Sequence, residues 1–402
     1  MSTRSRPQDW LLPVVVFGVC LLPVTTHRGP GPAGYLWCAV LLSLGAGMIA
    51  GRLEDRALRQ TRWSYPVLLP FLALLLWAAA TLLWSTAYQR VLALLPLVLA
   101  GLAAVLPALA ITAARGEQVA RLMTRTAGAA VMATAINALV YGPPEGRRLS
   151  VPLGSASSLH LPLTLCLAVI VAAAVSAGGL GRWGLAALAV VCLVLVQSAD
   201  SRAGTVGLVV LLWLVAGRIL WGRRQRFAIG ALAAGVGTAA LIGYLMLSRP
   251  HISLTDSTRW NNVARGLTAW TDSGWAIVPG RGTSSVWPWF AAEMSRGGFF
   301  ARSPWGELLW HPHSTLLGVL VETGLVGAVL LLVTLGVVLV ACVRALRERD
   351  PMMWLPAASL LATTPGMLVE TYLVRGFPAA VIWWTVALYI VRGVVRTRPG
   401  SG

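Results

Sequence analysis

SRPHISLTDSTRW at residues 248–260 opens, and HPHS at 311–314 closes, the only long polar interval in a chain otherwise built of one apolar run after another. The interval holds three of the five histidines (His251, His311, His313) and six arginines: Arg249, Arg259, Arg265, Arg281, Arg296 and Arg302. Aromatic residues crowd it, from Trp260, Trp270 and Trp275 to Trp305 and Trp310. A connection this long carries function or is disordered, and disordered segments are poor in aromatics. It therefore reads as a folded cap, and the runs on either side as the body beneath it.

Those runs decide the class. Val67–Leu83, Val91–Ala113 and Leu316–Val343 are long enough to cross a bilayer, which takes about 20 apolar residues. With 57% hydrophobic residues, 11% charged and a mean hydropathy of +0.74, a soluble globular composition is excluded. The chain reads as an all-α polytopic membrane protein. Dividing it at charged or Gly/Pro-rich breaks predicts about twelve transmembrane helices, near 10–26, 34–51, 66–84, 91–113, 120–141, 156–176, 183–198, 203–221, 227–247, 313–343, 352–370 and 377–395. Three regions follow: 1–247 with spans one to nine, 248–312 as a loop with amphipathic helices, and 313–402 with spans ten to twelve. The N-terminal apolar run follows Arg4 and Arg6 but lacks a small-residue cleavage site, and Pro13 and Pro23 interrupt it. It reads as the first span and not as a removed signal. The tenth run is long enough to project from the membrane or to tilt within it.

Charge gives the orientation. All 32 basic residues are arginine, and the net charge of +18 follows topology, with no nucleic-acid partner implied. One set of connections and both termini carry twenty arginines, against six (Arg28, Arg90, Arg147, Arg148, Arg202, Arg375) in the short connections of the other side. The positive-inside rule places the first set, and both termini, in the cytoplasm and turns the long loop outward. The outward arginines then stand where that rule disfavours them. Ion pairing with Glu145, Asp200, Asp256, Asp272, Glu293 or Glu307 is the simplest account of any one of them.

The five cysteines all lie inside apolar runs without CxxC spacing, so neither a disulfide frame nor a metal site is expected. HPH is a possible start of a metal site, but no cluster of further ligands lies nearby. Within the loop, Ser257 can open a helix carrying Arg259, Val263, Leu267 and Trp270 at helical spacing, and Ser303-Pro304 a second one through Trp310. Tryptophan-rich helices of this kind lie well at a membrane surface, and simple anchoring accounts for most of the tryptophans. No inverted repeat of the transporter kind is evident. Carboxylates inside the spans are sparse, chiefly Glu322 and Glu370; packing against an arginine or hydroxyl accounts for Glu322 more simply than catalysis does.

His313, at the head of the tenth run, can take a proton near neutral pH. Arginine suits a diphosphate because its planar fork donates paired hydrogen bonds and keeps its charge. Arg202, in a tight turn, and Arg259, at the head of the loop helix, are placed to act together if the loop folds back over that turn. The first outward loop, HRGPGPAG, has no carboxylate to hold a divalent cation, so arginines would have to stand in for a metal clamp.

These pieces, in this order, resemble the O-antigen ligase and O-antigen polymerase superfamily of bacterial inner-membrane glycosyltransferases. The resemblance rests on a Ser-Arg turn (Ser201, Arg202), STRW (Ser257 to Trp260) and GRG (Gly280 to Gly282), then HPHSTLL followed by ExGxxG (Glu322, Gly324, Gly327). The motifs cover about a third of the chain. The family usually has asparagine directly after the histidine, where this chain has Ser314, which can also hydrogen-bond locally.

What the resemblance implies is a GT-C-like membrane fold with a large periplasmic loop between spans nine and ten. It implies transfer of a glycan from undecaprenyl diphosphate to a sugar hydroxyl at the periplasmic face, and the carboxylate-free first outward loop adds the expectation that no metal or cofactor takes part. For a ligase the acceptor is lipid A–core; for a polymerase it is a second carrier-linked repeat unit. The compact chain, without an extra soluble domain, leans towards the ligase, and a lipid-linked glycan flippase is the alternative of a different class. The implied catalytic set is His313 as base with Arg202 and Arg259 on the diphosphate. Arg147, Arg148, Ser201, His311 and Arg265 form the surrounding substrate-binding set. Membrane lipids are the remaining partner.

Overall fold

The computed structural model describes residues 8–21, 32–53, 60–85, 93–114, 116–142, 149, 151, 153, 158–220, 257–285, 314–374 and 376–396 of the 402. Among them there are twelve α-helices and no strand. They are α1 (Gln8–Cys20), α2 (Pro32–Ala50), α3 (Tyr65–Ala80), α4 (Leu94–Ala113), α5 (Gln118–Tyr141), α6 (His160–Ser176), α7 (Gly179–Ser198), α8 (Arg202–Leu220), α9 (Ser257–Thr271), α10 (Thr315–Ala345), α11 (Pro351–Thr363) and α12 (Phe377–Arg396). All but α9 coincide with a stretch expected as a span, and the expected ninth span, 227–247, lies outside the described residues. Five helical stretches are long and apolar enough to cross a membrane: Thr61–Leu83, Leu94–Ala113, Gly179–Ser198, Thr315–Ala345 and Phe377–Arg396.

Helices that are apolar all round must sit in a core or face lipid, and this bundle does both. Helix α12 is its axis: Trp383 and Trp384 are almost wholly buried, and the Trp384 ring lies 4.7 Å from Phe71 of α3 and 5.0 Å from Trp383. Around it α10 packs on α3, α4 on α2 and α12, α1 on α5, and α11 on α6 and α8. Helix α7 packs on α6 but leaves most of its apolar surface uncovered.

The two ends of the bundle differ. At one, Arg125 stacks over Trp10 at 4.1 Å, Arg218 donates to the Glu348 carbonyl at 2.8 Å, and Arg392 donates to the carbonyls of Ile111 and Ala114. Eleven of the described arginines lie at this end. The other end holds Arg202, Arg259, Arg265 and Arg281, together with α9. We call it the cap end.

Helix α10 departs from expectation. It is not one continuous helix but is broken at Gly324, where φ is 67° and ψ −164°. The piece after the break, 325–345, is about 31 Å long at 1.5 Å per residue, which matches a bilayer's hydrocarbon core. Expected span eleven also splits, into α11 and a 3-10 turn, Thr364–Leu368.

Candidate functional site

The break in α10 exists because another segment fills it. Residues 278–285, running through Gly280-Arg281-Gly282, wedge between the break and the end of α3. Two amides of the wedge reach carbonyls that the break frees: Arg281 N–H donates to Val321 O at 3.0 Å and Gly282 N–H to Glu322 O at 2.9 Å. A third freed carbonyl, Thr323 O, accepts the indole N–H of Trp77 at 2.9 Å, while Trp84 donates to Gly280 O at 3.0 Å. Buried away from water, irregular backbone of this kind persists only where protein satisfies it. Glycine is required on both sides of the joint. Gly280 and Gly324 have φ of 81° and 67°, and a β-carbon on either would collide with the other's backbone. A β-carbon on Gly282 would lie 2.5 Å from the Ser85 Cα. Thr283 then knots the wedge to α3. Its amide donates to Thr81 Oγ1 at 2.9 Å, its hydroxyl to Ala78 O at 2.8 Å, and its carbonyl accepts from Ser85 Oγ at 2.8 Å.

Helix α9 holds the wedge from the other side. It lies along the first turns of α10 with Val263, Ala269 and Trp270 against Leu317 and Val321. Gly266 gives the closest approach, to Leu317, so the packed face is turned away from the expected Leu267, which is exposed. Arg281 is part of this assembly. Its Nε donates to Ala269 O near the end of α9, and Nη2 lies 3.6 Å from Asp272 Oδ2. Burial lowers its pKa and the Asp272 carboxylate acts in the opposite direction.

The start of α10 is fixed just as firmly. Ser314 is its N-cap, with extended backbone and a side chain that accepts from Leu317 N–H at 3.1 Å. Thr315 clasps the turn beyond α11: its amide and hydroxyl donate to Glu370 O at 3.1 and 2.9 Å, and its hydroxyl accepts from Tyr372 N–H at 3.1 Å. Burial pushes the Tyr372 phenol well up, so it remains neutral. Between this clasp and the wedge opens a cleft of about 40 Å³, room for a few waters. Glu322, Thr283 and Thr315 reach it from one side, with Leu74, Leu97 and Val319 among its walls.

Ser201 caps α8 by accepting Gly204 N–H at 3.3 Å. Gly204 presses against the ring of His160 at the head of α6. Leu149, the residue after Arg148, donates to Ser198 O at 3.0 Å, so the chain leaving the arginine pair is pinned beside the Ser201–Arg202 turn. Strain gathers here. The three described non-glycine residues with positive φ are Asp200 (45°), Ser284 (61°) and Leu373 (67°), and all lie at the cap end. Such conformations cost about 1–3 kcal/mol each and concentrate at functional sites.

Of the residues expected in the site, Arg202 begins α8 and Arg259 is the third residue of α9, both at the cap end. Arg265 is exposed on α9, and Ser201 is a helix cap. His313, His311, Arg147 and Arg148, and the helix expected from Ser303, lie outside the described residues. Sequence reasoning missed His160, buried at the head of α6, because a lone histidine in an apolar run carries no pattern. It also missed the Glu370–Val374 turn, whose part appears only once Thr315 is seen to hold it. Among the described residues no three His, Cys, Asp or Glu side chains converge as metal ligands would. No protein-family model matches the chain, and no curated protein matches it.

Proposed function

We propose that the chain is an inverting glycosyltransferase of the bacterial inner membrane, an O-antigen ligase in kind. It moves glycan from undecaprenyl diphosphate to lipid A–core at the periplasmic face, and the cap end is that face. One observation carries the reading. GRG and ExGxxG, separate signs of the family resemblance, form a single joint at the end of the bundle that also holds Ser201, Arg202 and α9. In the reaction an acceptor hydroxyl oxygen attacks the anomeric carbon from the side opposite the diphosphate. The bond from that carbon to the diphosphate oxygen breaks, and the leaving lipid diphosphate keeps the electron pair. His313 takes the hydroxyl proton. Arg202 and Arg259 hold the oxygens on which charge grows, with Arg147 and Arg148 behind them; charge placed in advance is often the largest catalytic term.

The test is purified protein in lipid nanodiscs, given lipid-linked donor and either lipid A–core or a second carrier-linked repeat unit. A covalent product with lipid A–core is expected, unaffected by chelator. Product only with the second repeat unit would make the chain a polymerase. Altered sidedness in vesicles without any product would make it a flippase. His313→Ala should lower the rate by about 10²–10⁴-fold at equal abundance; a rate within threefold of the parent would remove the histidine from the role of base. Arg202→Lys and Arg259→Lys should fail nearly as badly as alanine, because lysine keeps the charge but loses the fork.

A further inference from the structure

Trp275 and Val278 are large apolar side chains that the cap leaves 58% and 54% exposed. Their neighbours are committed inward. Ala276 is buried, the Ile277 carbonyl accepts the Trp270 indole N–H at 3.0 Å, and Gly280 sits in the α10 joint. The Val278 carbonyl accepts from Val326 N–H at 3.4 Å, so position 278 lies directly against the head of the second piece of α10. There Leu325 and Val329 are exposed as well, and the stripe they begin continues through Leu332, Val333 and Val340. That stripe belongs to a helix long and apolar enough to cross a membrane, and lipid is the medium such a surface requires. On the other side of Trp275 the exposed residues include Thr268, Thr271 and Asp272, with Leu267 the one large apolar side chain among them. The surface thus changes from hydrocarbon to polar within a few residues of one tryptophan. An indole, apolar in body with a polar N–H, is enriched at that kind of boundary.

We infer that Trp275 and Val278 insert into the headgroup–acyl boundary of the bilayer as an anchor continuous with the lipid-facing stripe of α10. Only Ala276 and Ile277 separate Trp275 from Val278, with which the wedge begins, so the anchor fixes the depth at which the joint and its cleft meet the membrane. Other tryptophans of this region do different work: Trp270 ties down its own turn, Trp84 binds the wedge, and Trp77 binds the break in α10. The inference concerns a lipid surface and stands apart from the proposed reaction.

The experiment places a nitroxide label at Trp275→Cys in the full chain, in nanodiscs of phosphatidylethanolamine and phosphatidylglycerol. The five native cysteines are buried and stay unlabelled. Thr268→Cys, opposite the packed face of α9, is the aqueous reference. Collision with oxygen, which concentrates in hydrocarbon, should be several-fold higher at 275 than at 268. Collision with a water-soluble nickel chelate should be several-fold lower. Val278→Cys gives a second reading, and decides the matter if Trp275→Cys does not assemble. Accessibility at both positions like that at 268 would overturn the anchor. Shielding from both quenchers would also overturn it, since a protein surface and not lipid would then cover the patch.

Discussion

Gly280 and Gly324 show how a residue can be conspicuous in a sequence and still unexplained by it. GRG and ExGxxG are visible as patterns, yet nothing within either says that the other is its partner, because a long stretch of chain separates them. Each glycine is needed twice over, for a positive φ that a side chain resists and for a backbone approach that a β-carbon would block. Gly280→Ala and Gly324→Ala should each destabilise the folded protein by more than about 3 kcal/mol, read as a collapse of the thermal transition in detergent. Gly336→Ala is the contrast. It lies in the same helix with nothing within 4 Å of an added β-carbon, and should be neutral or gain up to about 1 kcal/mol from helix propensity. Equal losses at 324 and 336 would mean that the joint is not what requires glycine.

Helix α10 carries the corresponding lesson for elements. Its length and apolarity were legible, and so was a start near residue 313. Its break was not, since no proline marks it and the cause lies in a loop docked from outside the helix. Ser314 was legible as a departure from the pattern on which the resemblance rests, and its cap geometry gives that departure a physical reading. Asparagine and serine are near equals as N-caps, so either residue performs the same local task. Ser314→Asn should therefore leave stability and activity close to parental, whereas Ser314→Ala should cost about 1 kcal/mol. Denaturation monitored by circular dichroism checks the first quantity, and a loss with Asn equal to that with Ala would show that the hydroxyl does something other than cap.

For the whole molecule, the helical body was legible because a bilayer leaves few solutions: backbone groups must pair within a span, and side chains must suit hydrocarbon. How the cap's helix docks was not, because α9 is held by one glycine approach, a small apolar face and the reach of Arg281 to Ala269 O, signals too faint in sequence to separate from anchoring. Sidedness is the molecular-scale prediction. A fluorescent protein fused after Arg396 should fluoresce, and alkaline phosphatase fused after Ser285 should be active, as expected for an arginine-rich end in the cytoplasm; the reverse pattern would invert the orientation. The joint in α10 also has a history during synthesis. The earlier partners lie about two hundred residues before it in the chain: 246 separate Trp77 of α3 from Thr323 of the break, and 202 separate Thr81, just past α3, from Thr283 of the wedge. Of the freed carbonyls, Val321 O and Glu322 O take their partners from the wedge that precedes α10, whereas Thr323 O takes its partner, Trp77, from α3. Long-range closures of this kind come late because their loop entropy is paid before the contact rewards it. The joint therefore closes only after α10 itself has been made, against an α3 synthesised long before it.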